Sequence, residues 1–424
     1  YEICACLVGS EMCIRDRRKG DLTQGGITGT LLHFTLPMLV GSFLQQCYNI
    51  ADTLIVGQCI GAGALAAVGS AYTLMVFLIS VLLGLAMGSG TVFSLHYGAG
   101  NHVALRRSIF SSFVLIGIVT LILNVAVFIW LDPILRLLQV PQDIYGMMRS
   151  YLWIIFCGIV FTFIYNFYAS LLRAVGDSVT PLWFLAVSVV LNIALDLFFI
   201  LQLDWGIQGA AAATVLAQGV AALGIIIYTY RRRPELRWHH EDMCFDRTCL
   251  KEIASFSTLT CIQQSVMNLG ILMVQGLVNS FGTAVMAAFA AAVKIDSFAY
   301  MPVQEFGNAF STFIAQNFGA GRYDRIHRGV RSAFVTAVVF SLLVSVLVFV
   351  FAEPLMLIFV RPDETEIIAV GMAYLRIEGA FYCGIGILFL LYGYYRAIRM
   401  PGMSVVLTLS LIHISEPTRH AQIS

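Results

Sequence analysis

Charge is scarce in this chain. Asp, Glu, Lys and Arg make up 12% of its 424 residues, about half the share of an ordinary soluble domain. A water-facing surface of normal size cannot be dressed with so few charged groups. The net charge of +1 gives no basic excess for nucleic acid, so no nucleic-acid partner is expected. Chemistry-bearing motifs are scarce as well. There is no GxxxxGK[ST] loop to cradle phosphates, no HExxH zinc helix and no serine nucleophile elbow, which argues against ATP hydrolysis and against an enzyme of any kind. The ten cysteines show neither CxxC nor Cys/His ligand spacing and read as small buried hydrophobes, so no metal centre or disulfide framework is expected. Short segments of alternating polarity are absent, which excludes a membrane barrel. No secretory cleavage pattern is present, so the first helix would be its own insertion signal.

What the chain has instead is apolar length. Hydrophobic residues make up 59%, and runs long enough to cross a hydrocarbon core of about 30 Å recur throughout. The runs cover 31–56, 65–95, 108–130, 147–170, 180–203, 207–230, 253–280, 284–316, 332–352 and 367–395, with another starting near 401. The fold class is therefore an all-α polytopic membrane protein. The chain also repeats itself. Tyr97-Gly98-Ala99-Gly100 returns as Phe318-Gly319-Ala320-Gly321, and Asp132-Pro133 returns as Glu353-Pro354, both 221 residues on; Arg173-Ala174 returns as Arg396-Ala397, 223 residues on. A long-period repeat in an apolar chain is the signature of a transporter built from two halves.

The arginines fix an expected orientation. Arg106, Arg107, Arg173, Arg231, Arg232, Arg233, Arg322, Arg325, Arg328, Arg331, Arg396 and Arg399 fall in alternate loops, whereas the opposite loops are mostly acidic. The positive-inside rule makes the basic set cytoplasmic, with the N-terminus beside it. Six spans precede the polar stretch, so the halves enter the membrane the same way and are related by an axis along its normal. The expected division is an N-terminal six-helix lobe over 18–230, a cytoplasmic linker over 231–252 and a C-terminal lobe over 253–409. Residues 1–17 and 410–424 resemble translated sequencing adapter, strings that recur at the ends of unrelated reading frames, and are set aside from fold reasoning. On that reading the C-terminal lobe is incomplete and the chain as written is inactive.

Charges within spans are costly and mark pathways by default. The candidates are Asp52, Asp196, Lys294, Asp296, Glu305, Arg376 and Glu378. Asp52 lies 15 residues after Pro37 in the first span, and Asp196 lies 15 residues after Pro181 in the fifth. Both helices run the same way, so both carboxyls sit at one depth, about 22 Å above their prolines. Asn192 is one turn below Asp196 on the same face, and Thr214 of the sixth span reaches that level. Two carboxylates in a low dielectric repel, so one holds a proton unless a cation lies between them. Lys294 either neutralises Asp296 or another acid, or lines the cavity; Glu305 lies deeper. Arg376 and Glu378 are too close in sequence to share a face, and their roles stay open. Pro37 is expected to kink the first helix, and Gly84 and Gly88 have the spacing of close helix packing.

Asp21-Leu22-Thr23-Gln24-Gly25, Leu36-Pro37, Gln45-Gln46, Tyr48-Asn49-Ile50-Ala51-Asp52-Thr53, Val56-Gly57 and Gln316-Asn317-Phe318-Gly319-Ala320-Gly321 together resemble bacterial MATE (multidrug and toxic compound extrusion) transporters. The resemblance runs over 20–408. It implies twelve helices in two six-helix lobes, of which about 10 to 11 are present here, and outward export of small organic cations against H⁺ or Na⁺, with no other cofactor. The DinF-like branch of that family carries a first-lobe cation site, and the matching positions here are Asp52, Asn192, Asp196 and Thr214, with Asn166 of the fourth span. Gln46 and Gln264 join Lys294, Asp296 and Glu305 as cavity candidates. The NorM-like branch carries acids in its seventh and tenth helices, but this chain has Gln263-Gln264 and Gly384-Ile385-Gly386 there, which favours coupling in the first lobe.

The expected activity is secondary antiport of organic cations by alternating access between the lobes. The chain would act as a monomer in the lipid bilayer of a bacterial cytoplasmic membrane, with its N-terminus in the cytoplasm. A lipid-linked oligosaccharide flippase of the same superfamily is the alternative, disfavoured because only Lys294 and Arg376 are basic groups within spans.

Overall fold

The computed structural model describes residues 21–137, 140–243, 246–279 and 281–415. The adapter-like leader at 1–17 and the tail from 416 lie outside them. Helices α1 (Ile27–Cys59), α2 (Ala62–Gly98) and α3 (His102–Leu137) are long and straight-through. They are followed by α4 (Gln142–Cys157), α5 (Ile159–Ala174), α6 (Val179–Leu197) and α7 (Gly206–Arg232). The second half comprises α8 (Arg247–Asn279), α9 (Thr283–Gly319), α10 (Tyr323–Val350), the short α11 (Ala352–Leu357), α12 (Thr365–Ala380), α13 (Tyr382–Ala397) and α14 (Pro401–Ser415).

The chain is an all-helical, multi-span membrane protein. Seven of the described helices are long and apolar enough to cross a membrane, and up to nine spans result if α4 with α5 and α12 with α13 each count as one bent span. Helix α8 also has the length of a span and buries Ser257, Thr260 and Gln263 along its course. Helix α14 is short.

Helix α1 runs through Pro37 without a break in the helix. Two breaks between successive helices bend the chain by more than 40°, at Gly158 (47°) and Phe381 (50°), 223 residues apart like the Arg173 and Arg396 repeat. At Gly158 an added Cβ would lie 2.5 Å from the Val215 side chain, so the bend depends on a residue without one. Asp132-Pro133 lies within α3, which continues to Leu137, with Leu131 and Leu135 on either side fully buried. There Asp132 accepts hydrogen bonds from Arg149 (2.8 Å) and Tyr145 (2.9 Å).

The halves meet at the end that carries the arginines. Helix α2 of the first half makes its most extensive contact with α8 of the second. A Cβ at Gly84 would stand 2.6 Å from the Cys261 Cα, and one at Gly88 would stand 2.6 Å from the Ser257 Cα, so the small-residue spacing serves backbone approach. The twin glycine loops complete the seal. Gly98 lies against the Gln316 carbonyl and Gly319 against the Leu95 carbonyl, too close for any side chain. Gly100 (φ 67°) and Gly321 (φ 68°) end the two helices in matching left-handed turns. The motif that reveals the repeat in sequence is thus the surface on which the two copies touch.

Two further fastenings lie at the same end. Gln316 donates to the Ala174 carbonyl (2.7 Å) and accepts from the Leu22 amide (3.1 Å). Arg325 donates to the carbonyls of Leu22, Gln24 and Gly25, strapping the segment before α1 onto the second half. The connection between α7 and α8 is held by Asp242, which accepts from Arg106 Nε (2.7 Å) and the His239 amide (3.0 Å). Burial works against its charged form, but those two donors outweigh it and hold its carboxyl below the usual range.

Candidate functional site

Toward the opposite end, α1, α4, α6 and α7 bring together polar groups that span 166 residues of sequence between Tyr48 and Thr214. Asp52 and Asp196 are 8% and 0% exposed, and their carboxyl groups are close enough to act on one another. Among the described residues no hydrogen-bond partner reaches Asp52 Oδ1, either oxygen of Asp196 or Asn192 Oδ1. Asn192 Nδ2 donates to Thr214 Oγ1 at 3.3 Å, and the Tyr48 hydroxyl meets the same oxygen at 3.3 Å. Tyr151, 4% exposed, completes the wall from α4, close enough to feel both acids.

The local reasons are legible. On α6 the spacing of Asn192 and Asp196 turns both side chains to one face, and the buried Ser188 continues that stripe. Immediately beyond Asp196 the helix widens into a π-helical turn at Phe198–Gln202, a local unwinding that frequently accompanies functional positions. Beside Thr214 lies a small cavity of about 40 Å³ lined by Thr162, Gln218 and Gly158 among others. Thr162 donates to Gln218 at 2.5 Å.

Asp52, Asn192, Asp196 and Thr214 are therefore brought together, with Tyr48 and Tyr151 beside them. Asn166 is not: it donates to the Thr162 carbonyl one turn back at 2.8 Å and belongs to the level below. Gln46 accepts from Asn49 within α1 (3.3 Å). Gln264 is half-buried on α8, with no hydrogen bond to the acids among the described residues.

The second half holds an acid pair that the sequence reading did not assemble. Asp296 on α9 is 6% exposed, accepts from the Tyr382 hydroxyl at 2.5 Å and faces Glu378 of α12. Tyr374 lies one turn from Glu378, close enough to act on it. Lys294 does not neutralise Asp296. It is exposed, because residues two apart on a helix point about 200° apart. Arg376 turns from Glu378 and lies over the Phe349 ring, 5.4 Å from its centroid. The signal that was available is the spacing of Tyr374 and Glu378, which sets both on one face of α12, with Tyr382 opening α13 just beyond the bend. Glu305 accepts from Ser42 Oγ of α1 at 2.9 Å, across the boundary between the halves.

Long helices, two of them bent at matched positions, and buried acids between them make this a transporter architecture rather than a catalytic one. The MatE family profile matches residues 37–198 and 259–416, and the chain belongs to that family, whose members are transporters and not enzymes. It is 32% identical over 399 residues to the probable multidrug resistance protein YpnP of Bacillus subtilis (strain 168), covering 92% of this chain and 87% of that one. Among solved structures, the fold superposes with a TM-score of 0.86 on an outward-facing multidrug resistance MATE family transporter of the MOP superfamily, at 22% identity over 92% of this chain and 87% of that one. It also matches the Vibrio cholerae MATE transporter VcmN in its bent form, with TM-score 0.84 and 26% identity over 90% and 86% of the two chains.

Proposed function

We propose that this chain exports amphipathic organic cations in exchange for H⁺ or Na⁺, and that the exchange is read by Asp52 and Asp196. The observation that carries the reading is the acid pair itself: two buried carboxyls face one another with no basic partner among the described residues. Two anions so placed repel strongly in a low dielectric. A shared proton or an interposed cation relieves the repulsion, so the gap between α1 and α6 responds to the ion. Asn192, Thr214, Tyr48 and Tyr151 supply the neutral oxygens and amide that a bare cation needs around it. Their release or capture of the ion is transmitted to α1, which also touches the second half through Ser42 and Phe43.

Export of drugs as the task is supported by the likeness to a probable multidrug resistance protein and by membership of the family. The halves are the moving bodies, the arginine-rich end is the cytoplasmic one by the positive-inside rule, and the membrane is the bacterial cytoplasmic membrane. A monomer contains both acid pairs and both halves, so no second copy is required.

The test is counter-transport. The full-length protein is purified and reconstituted into liposomes, and a fluorescent lipophilic cation is followed while a proton gradient or a sodium gradient is imposed separately. Uphill dye movement driven by one of the two gradients and abolished by collapsing it is the expected result. Dye movement indifferent to both gradients would refute antiport.

A further inference from the structure

Glu305 belongs to neither acid pair. It lies on α9 nine residues toward the basic end from Asp296, about 13 Å along the helix. It is half-buried and bonded across to the first half through Ser42, the placement expected of a side chain that faces the cleft between the halves. Its immediate surroundings are neutral: the Ser42 hydroxyl donates to it at 2.9 Å, and the Asn308 side chain lies nearby. No basic residue among those described forms an ion pair with it. Arg173, at the end of α5 in the other half, is near enough for its charge to act on the carboxylate. Arg396, the repeat mate of Arg173, is 5% exposed and is engaged with Asn308 Oδ1 (3.4 Å) and Ser311 Oγ (3.3 Å).

The partners divide by half. Asn308 and Arg396 share the second half with Glu305 and would travel with it. Ser42 and Arg173 are in the first half and would leave it when the basic end opens. A carboxylate within a membrane-embedded cleft that has lost its hydroxyl donor and its distant guanidinium is a costly group seeking a cation.

We infer that Glu305 is the carboxylate to which the positive group of an organic cation docks when the halves part at the basic end, and that Arg173 takes over as its counter-charge when they close. The inference rests on the export reading above and names the residue that recognises the substrate's charge. It also gives the cycle a direction. Closure returns Arg173 to the neighbourhood of a bound cation, and the like charges favour release toward the far end.

The test is equilibrium binding of tetraphenylphosphonium to the purified full chain in detergent. Glu305→Gln is expected to bind about tenfold more weakly, the loss of one charge-assisted contact, and Glu305→Asp to fall between. Arg173→Gln is expected to bind several-fold more tightly, roughly the gain from removing one competing charge. Parent-like binding by folded Glu305→Gln would overturn the inference while leaving the export reading intact. If Glu305→Gln fails to fold, Arg173→Gln decides alone, and unchanged or weaker binding there would overturn it. A parent that binds no tetraphenylphosphonium would sink the organic-cation reading and this inference with it.

Discussion

At the scale of single residues, the acids differ by what surrounds them. Asp242 is held by the Arg106 guanidinium and the His239 amide, outside the membrane-spanning helices. Its folded carboxyl ionises below the unfolded reference of about 3.9. The stabilisation is therefore present at pH values above that reference and is lost as pH falls through the folded value. Asp242→Asn is expected to lower the thermal unfolding midpoint at pH 7, with the deficit shrinking below about pH 4; a deficit independent of pH would show that the charge is not what matters. Asp52 and Asp196 have each other. Their pairing was legible in the sequence because matched proline spacing on parallel spans fixes a common depth. Asp296 and Glu378 lie on elements that also run the same way, but no matched proline marks their depth, and the neighbouring Lys294 and Arg376 suggest local neutralisation that helical geometry forbids.

At the scale of elements, the apolar runs located the spans because a bilayer demands length before anything else. The breaks at Gly158 and Phe381 were not legible in the apolar runs, while Pro37 and Pro133 lie within continuous helices. Proline removes one hydrogen bond that neighbours can replace, whereas a bend also needs room, which Gly158 provides against Val215. The α2–α8 seam was legible only as small-residue spacing, without its partner. It now supports a prediction: Gly88→Leu would drive a side chain into the Phe256–Ser257 backbone and force the halves apart at the basic end. A cysteine pair placed across α2 and α8 is expected to crosslink readily in the parent and poorly in Gly88→Leu. Equal crosslinking would show that the seam is not set by backbone approach.

At the scale of the whole molecule, the repeat, the seal and the acids form one arrangement. The twin glycine loops and the strap from Leu22 to Gly25 close the basic end, and the hydrogen bonds and ion pairs that join the halves cluster toward it. The two acid pairs lie beyond them, each walled by tyrosines. The first-half pair uses α1 and α6, and the second-half pair uses α9 and α12, so the second is not the repeat copy of the first. An ion-sensitive gap in a half whose first helix also touches the other half is a means of linking ion occupancy to the seal.

The most direct test of that account is efflux of a fluorescent organic cation from gradient-driven everted vesicles carrying the parent, Asp52→Asn or Asp196→Asn. The account predicts gradient-dependent efflux in the parent and a loss of at least about tenfold, some 1.4 kcal/mol of coupling, in both variants at equal expression. Parent-like, gradient-dependent efflux in Asp52→Asn would contradict it.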